Sequence, residues 1–338
     1  MNDPRLVIDI SKWQDHINPD ELEGVEAVII KSGSGMSRDP KFEKHGAAIA
    51  AAGITLMAYH WDDITIDPSE QAEWVLDDIN KTGLPIKFLW ADQEQSWLDW
   101  DEFHAAAFNK IAWSEVRRAS SKNISAHNNT FIKTLASRMS KGLCGVYTNR
   151  GFTSSWARET KGWIGNYPTW VAHYGNQPKK RTELSWAELM QKWLPDYSPA
   201  LPEGADINHL LGHQFSGDRF VLPGVYRNAT DLSSLDVNVF EGAFIDKLKA
   251  RKTTVKAKKT KENQPPAWPP SALKTEAGSQ FLVNVDALNI RKGPGTNFAI
   301  QGLLTKNQQV TVIERQGKWA NLDSGGWVYA VYLTLLGG

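Results

Sequence analysis

The chain has 338 residues, enough for two domains or one with an appendage, and its 41% hydrophobic and 22% charged content is that of an ordinary globular protein. One cysteine, Cys144, excludes an internal disulfide, and no run of about 18 apolar residues is present to cross a bilayer. The net charge of zero conceals a split: residues 1–246 hold 24 Lys and Arg against 33 Asp and Glu, a net of −9, and residues 247–338 hold 14 against 5, a net of +9. Two halves of opposite sign imply two tasks, with the basic half drawn to something anionic.

In chain order, Met1 to Ile10 lacks a basic-then-apolar leader, which implies synthesis in the cytoplasm and release by some other agent. Leu6-Val7-Ile8-Asp9-Ile10, Ala27-Val28-Ile29-Ile30, Thr55-Leu56-Met57-Ala58-Tyr59 and Ile86-Lys87-Phe88-Leu89-Trp90 read as buried strands. Helices are expected over Pro40–Ala52, stopped by Gly53, and Pro68–Thr82, stopped by Gly83. A long helix is expected from about Trp100 to Ser121, with further strands at Gly142–Tyr147, Thr169–His173 and Leu210–Phe215. Alternation of strand and helix predicts a parallel α/β sheet, and the number of units favours a barrel. Cys144, inside an apolar strand, reads as a buried packing residue. Fifteen Trp is a high count; most are expected to fill the core, and the rest offer flat amphipathic surfaces for sugars or other ring-bearing ligands.

The stretch 247–278 opens with eight Lys and Arg before its first acid, Glu262, and continues into Pro265-Pro266-Ala267-Trp268-Pro269-Pro270. Repulsion and proline keep such a segment extended, so it reads as a linker, with nothing interleaved to suggest a nucleic-acid site. Domains are therefore expected at 1–246 and 279–338. The second, with short alternating runs broken by Gly293-Pro294-Gly295, Gln316-Gly317-Lys318 and Ser324-Gly325-Gly326, reads as a small all-β module.

Acids end strands. Asp9 lies in the first strand, and Asp92 and Glu94 follow the fourth in Leu89-Trp90-Ala91-Asp92-Gln93-Glu94. Positions i and i+2 of a strand face the same way, and in a parallel barrel active sites gather at the C-terminal strand ends. Two close carboxylates repel, so one holds its proton toward neutral pH, as glycosidic cleavage requires. The same D-x-E pattern also suits helix capping, ion pairing or a hard metal ion. No zinc-spaced His/Cys cluster, nucleophile elbow or phosphate-binding loop is present.

The run Val7-Ile8-Asp9-Ile10-Ser11-Lys12-Trp13-Gln14 resembles the opening of family 25 glycoside hydrolases, the Chalaropsis-type lysozymes. Ordered matches follow at Ile29-Ile30-Lys31, Ala58-Tyr59-His60-Trp61, Asp92-Gln93-Glu94, Gly145-Val146-Tyr147-Thr148-Asn149, Trp170-Val171-Ala172-His173-Tyr174, His213-Gln214-Phe215-Ser216 and Leu235-Asp236-Val237-Asn238. The resemblance implies a modified TIM-like (β/α) barrel whose last strands depart from regular alternation. It also implies cleavage of the β-1,4 bond between N-acetylmuramic acid and N-acetylglucosamine in peptidoglycan, without cofactor or metal.

On the same resemblance, Asp9, Asp92, Glu94 and Asp236 are the catalytic acids. Glu94 is the general acid, and Asp92 either orients the substrate's acetamido group or acts as nucleophile. Lys31, Tyr59, Trp61, Tyr147, Tyr174 and Gln214 are the candidate sugar contacts. The chain departs from the family at Lys31-Ser32-Gly33-Ser34-Gly35, at Trp61-Asp62-Asp63, and in a longer segment 175–211 with a helix expected near Trp186–Trp193.

The C-terminal module resembles bacterial SH3 (SH3b) domains through Ala287-Leu288-Asn289-Ile290-Arg291-Lys292-Gly293-Pro294-Gly295, Gly317-Lys318-Trp319 and Gly326-Trp327-Val328. That resemblance implies an SH3-like barrel binding the stem peptide or a wall polymer. The expectation is a monomeric phage endolysin released by a holin, which enters neither membrane nor nucleic acid. An autolysin, a non-catalytic wall-binding protein and a metal-dependent hydrolase are the alternatives.

Overall fold

The computed structural model describes residues 3–139, 142–175, 177–252, 279–283, 287–294, 298, 300–316 and 319–336. Two compact units divide between Lys259 and Thr260. The expected linker lies largely outside the described residues, as do Gly295 and Gly317-Lys318 of the second unit's turns.

The first unit is built on eight strands: β1 (Pro4–Ile10), β2 (Val25–Ser34), β3 (Thr55–Trp61), β4 (Leu89–Asp92), β5 (Cys144–Thr148), β6 (Thr169–Ala172), β7 (Leu210–Tyr226) and β8 (Leu232–Glu241). Neighbours in sequence pair from β1 to β7 in parallel. β8 runs antiparallel to both β7 and β1 and closes the ring. The result is a TIM-like barrel with a reversed last strand. β7 and β8 form a hairpin, edged by the short strands His16–Ile17 and Thr182–Glu183.

Alternation decides which side chains fill the barrel. The outward set, including Ile8, Val28, Ile30, Leu56, Leu89 and Val146, packs with residues of α1 (Phe42–Ala51), α2 (Pro68–Thr82) and α4 (Ser121–Arg138). The inward apolar set includes Val7, Ile29, Met57, Trp90, Trp170 and Phe240. Phe244, Ile245 and Leu248 of α7 (Gly242–Ala250) pack with the same set and stopper the bottom of the barrel. The expected domain boundary after residue 246 thus falls inside a helix the barrel needs. Rings crowd this interior, with Tyr147 and Trp170 centroids 4.2 Å apart and Trp90 and Trp170 5.8 Å apart. They fit because Gly145 and Gly212 face inward: a Cβ on Gly145 would lie 2.6 Å from the Trp90 ring, and one on Gly212 2.3 Å from Phe240.

The expected helix boundaries hold well at α2. Asp67 caps it by accepting from the Ser69 and Glu70 amides, Pro68 occupies its first turn, and Gly83 ends it at φ 68°. The helix expected over Trp100–Ser121 is instead broken. α3 (Trp100–Ala107) stops where Asn109 turns left-handed (φ 57°), and α4 restarts behind the Ser120 cap. A bridge between Trp97 and Arg118 folds the intervening segment back, over stacked Trp97 and Phe103 rings 3.8 Å apart. α5 (Arg150–Trp156) follows β5, and α6 (Trp186–Lys192) appears where a helix was expected.

Among the described residues, the second unit has seven strands: β9 (Ser279–Val283), β10 (Ala287–Arg291), β11 (Ile300–Thr305), β12 (Gln309–Gln316), β13 (Trp319–Leu322), β14 (Trp327–Tyr329) and β15 (Leu333–Leu335). All the described pairings are antiparallel. They enclose a small core of Phe281, Val283, Leu288, Leu304, Val312, Leu322 and Val328.

Candidate active site

The same alternation that places apolar rings low in the barrel places polar groups at its upper mouth. Asp9 follows Val7 on β1, and Lys31 follows Ile29 on β2. Tyr59 and Trp61 follow Met57 on β3, and Asp92 follows Trp90 on β4. Tyr147 and Gln214 are inward on β5 and β7, and Asp236 faces Asp9 across the β8–β1 ladder. All ten residues singled out from sequence therefore lie at one end of one barrel. Glu94 stands beyond β4, which ends at Asp92. It nevertheless stays on the inward side, where the charges of Lys31 and Asp9 act on it.

A web of hydrogen bonds fixes the acids of β1 and β8. Tyr147 and Tyr174 both donate their hydroxyls to Gln214 Oε1, at 2.8 and 2.7 Å. This turns the Gln214 amide nitrogen toward Asp9 Oδ2 (3.0 Å) and Asp236 Oδ2 (3.5 Å). Asn238 donates to the same Asp9 oxygen at 2.8 Å while its own Oδ1 accepts from the Trp170 indole at 2.9 Å. Asp236 also accepts the Asp218 amide at 2.7 Å.

Asp92 and Glu94 are held by what lies between them. The Gln93 side chain donates to the Asn128 carbonyl (2.8 Å) and to Asp62 (3.4 Å), its amide donates to Tyr147 O (2.9 Å), and its carbonyl accepts from Thr148 (2.8 Å). With Gln93 anchored outward, its neighbours are left facing in. Asp92 is 3% exposed, and its Oδ1 has no hydrogen-bond partner. An unpaired buried carboxylate oxygen is costly unless a ligand supplies the donor.

The titration behaviour follows from this crowding. Burial, then repulsion from Glu94, pushes the Asp92 carboxyl well above the usual range, opposed by Lys31. Burial pushes Glu94 up to about 7, again opposed by Lys31 and assisted by Asp9. Asp9 is pushed up to about 6 by burial, with the Asn238 and Gln214 amides pulling it down. Asp236 is raised by burial and by Asp9. Lys31, lowered by burial and supported chiefly by Asp92, is the cation among them. Its ammonium lies 5.6 Å from the Tyr59 ring centre and 4.9 Å from that of Trp61. Four acids served by one lysine cannot all ionise together at neutral pH, so a proton remains available in the cluster.

Two clefts open at this mouth. One, of about 530 Å³, is lined by Asp9, Trp13, Tyr59, Arg181, Asp218 and Asp236 among others. The other, of about 400 Å³, is lined by Glu94, Tyr147, Asn149, Arg150, His173 and Tyr174 among others. They meet at the Gln214 network, because Tyr174 of the second cleft bonds to the glutamine that holds Asp9 and Asp236 of the first. Trp61 forms a wall with Trp97 and Trp100, at 5.9 and 6.0 Å between ring centres. Asp63 braces that wall by accepting from Gln95 (3.1 Å) and Trp100 (3.0 Å), and Asp62 faces outward to His127 (2.8 Å). Neither of these two acids joins the cluster. Among the described residues, no group of three or more His, Cys, Asp or Glu is arranged to hold a metal ion.

Sequence reasoning passed over Asn238, Trp170 and Trp13. Asn238 shares Asp236's face by the i+2 rule, so the signal was present. Trp13 is 75% exposed beside Asp9, and only its place at the cleft separates it from a core tryptophan.

Residues 8–195, more than half of the chain, match the family described as Glycosyl hydrolases family 25, and residues 286–334 match the bacterial SH3 domain. The first match covers Asp9, Asp92 and Glu94 and stops before β7 and β8. The fold is similar to that of the catalytic domain of endolysin ply40 from bacteriophage P40 of Listeria monocytogenes, at a TM-score of 0.51 and 19% identity over 74% of this chain and 100% of that one. It is equally similar to the bacterial lysozyme from Streptomyces coelicolor, at 0.51 and 18% over 74% of this chain and 98% of that one. No curated protein matches the chain in sequence.

Proposed function

The chain belongs to the family 25 glycosyl hydrolases and carries a bacterial SH3 domain, and from that premise we propose that it is a muramidase cleaving the β-1,4 bond between N-acetylmuramic acid and N-acetylglucosamine. The observation that carries the reading is the cluster of buried Asp9 and Asp92 with half-buried Glu94 and Asp236 around Lys31, with an unpaired oxygen on Asp92.

In this reading the glycan lies across the two clefts. The acetamido N–H of the muramic sugar donates to Asp92 Oδ1. That bond, with the nearby Lys31, favours the ionised form of Asp92 and leaves the cluster's proton on Glu94. The acetamido carbonyl oxygen then attacks the anomeric carbon while the glycosidic C–O bond breaks and Glu94 gives its proton to the departing oxygen. This forms an oxazolinium ion. The Glu94 carboxylate next takes a proton from water, and that water opens the oxazolinium at the anomeric carbon with net retention. Asp9 and Asp236, oriented by Gln214 and Asn238, supply negative charge near the developing cation. Tyr59, Trp61, Tyr147 and Tyr174 form the walls against which the sugars rest.

We read the chain as an endolysin-type enzyme rather than an exported autolysin. Its one cysteine, Cys144, is buried in β5, so the barrel needs no oxidising compartment to form. The SH3 unit serves to hold the enzyme to the wall.

Mass spectrometry of peptidoglycan digests tests the reaction. New reducing ends at muramic acid, unaffected by chelator, are expected. Reducing ends at glucosamine, or none from several wall types, would sink it. For the biological setting, cytoplasmic expression in a bacterium with a susceptible wall should cause lysis only after the membrane is permeabilised. Spontaneous lysis would favour the autolysin.

A further inference from the structure

The groove does not end at the Glu94 cleft. That cleft shares Arg150 with a further one of about 470 Å³, lined by Arg150, Thr153, Ser154, Arg158, Lys161, Leu201 and Glu203. The local sequence explains the grouping. Asn149 caps α5 by accepting from the Phe152 amide (2.7 Å), which sets Arg150 at the first helical position, and the 3-10 turn Arg158–Gly162 then brings Arg158 and Lys161 round to the same hollow.

Three cations here face one acid, within a domain whose overall charge is strongly negative. Arg150 has no ion pair among the described residues. Arg158 donates its Nε–H to the Ser154 carbonyl (3.0 Å), and its charge also acts on the adjacent Glu159, whose carboxylate accepts from Ser121 (2.6 Å); among the described residues no hydrogen bond engages its four terminal N–H groups. Lys161 reaches Glu203 at 3.2 Å, but the two side chains are 55% and 79% exposed, and such pairs hold weakly. The opposite cleft differs in its balance of charge rather than in the strength of its pairs: Arg181 and Arg227 line it beside Asp9, Asp218 and Asp236, and the pairs Arg181–Asp218 (3.4 Å) and Arg227–Asp231 (2.9 Å) are as exposed as Lys161–Glu203. The excess of positive charge lies in the Arg150 hollow, where three cations line the wall with one acid.

We propose that the Arg150–Arg158–Lys161 cleft is an anion subsite that takes a carboxylate of the stem peptide while the glycan lies across Glu94. The proposal rests on the muramidase reading and deepens it. Each muramic acid bears a peptide that leaves the glycan sideways, and the free carboxylates of that peptide are anions carried close to the bond to be cut. A guanidinium fork matches a carboxylate in two parallel hydrogen bonds, and a neighbouring ammonium adds charge without geometric demand. A phosphodiester of an attached wall polymer would present the same chemistry, so the test separates the two sources.

The full chain is assayed by release of reducing muramic ends on three substrates. The first is peptidoglycan stripped of phosphate polymers with hydrofluoric acid, the second is the same material with its carboxylates converted to amides, and the third is unstripped wall. Wild type is compared with the double variant Arg158→Ala, Lys161→Ala. What is read is the ratio of kcat/KM on carboxylated to amidated material, so any general loss of activity divides out. Any preference contributed by the basic C-terminal half is common to both proteins. The double variant is expected to lower the ratio by about fivefold, chiefly through KM, and Arg158→Lys with Lys161→Arg should restore it. A double variant that keeps the full wild-type ratio overturns the subsite. A deficit seen only on unstripped wall overturns the carboxylate assignment in favour of phosphate. Failure of wild type to release muramic ends from any of the three refutes the muramidase reading itself.

Discussion

A carboxyl group removed from water and given few donors keeps its proton into the neutral range. Glu94 does so to about 7, and the consequences for activity and for stability have opposite signs. Glu94→Gln should lower kcat by about 10³-fold, since a general acid is worth roughly 10²–10⁴ in rate. The same change should stabilise the fold at alkaline pH. Glu94 titrates higher in the folded protein than in the unfolded chain, so its favourable contribution is complete below about 4.5 and is lost as pH rises through about 7. A glutamine never pays that cost. At pH 8 the variant should melt several degrees above wild type, and at pH 4 the two should coincide. Equal melting at both pH values would show that the carboxyl is not held in a desolvated place. A second variant probes the lysine. Lys31 lowers Glu94, so Lys31→Met should move the alkaline limb of kcat/KM upward by about one unit. A limb that stays put would remove Lys31 from the site. The positions of these residues were legible because a strand and its direction are enough to say which side chains face in. The role of Asn238 was not, since it orients an aspartate 229 residues away, and no local pattern encodes that bond.

At the scale of elements, legibility follows the source of the constraint. α2 was readable because Pro68 and Gly83 mark its ends chemically, and the structure adds the Asp67 cap. The break between α3 and α4 was not, because it depends on Asn109 adopting a left-handed turn and on Trp97, Trp100 and Phe103 packing after the chain has doubled back. The resemblance implied only that the last strands leave regular alternation; the reversal of β8 was not legible, since alternation of apolar residues carries no sign of strand direction. Gly145 offers a test of how tightly one strand limits another. The Cβ of an alanine there would lie 2.6 Å from Trp90 and 2.7 Å from the Pro168 carbonyl, and the second neighbour is backbone that cannot swing aside. Gly145→Ala should therefore cost about 1–3 kcal/mol of stability, as overpacking of a dense core does. It should also depress kcat, because Trp90 and the strand that carries it lead directly to Asp92. Unchanged melting together with unchanged turnover would mean that the ring stack is looser than these contacts require.

The charge split makes its own prediction for the whole molecule. The stem peptides and phosphate polymers of a bacterial wall are anionic, so the acidic catalytic half meets them against repulsion while the basic half meets them with attraction. Both effects act through salt water and fade within about 10 Å at 0.1 M ionic strength. A truncation must spare α7, whose Phe244 and Leu248 stopper the barrel, so the cut belongs after Lys252. Such a protein keeps all ten candidate site residues and should cleave short soluble glycans as the full chain does. On whole walls the two should diverge in the sign of their response to salt. The full chain is tethered by its basic half, and its rate should fall as salt weakens the tether and the local concentration it provides. The truncated protein should be slower at low salt and should gain rate as screening relieves its repulsion. Sedimentation with walls gives the binding side of the same measurement, with the full chain released by salt and the truncated form bound weakly throughout. If both forms respond to salt in the same direction and by the same factor, the C-terminal half contributes no electrostatic targeting. Any wall binding by the SH3 unit would then have to come from uncharged contacts within its own fold.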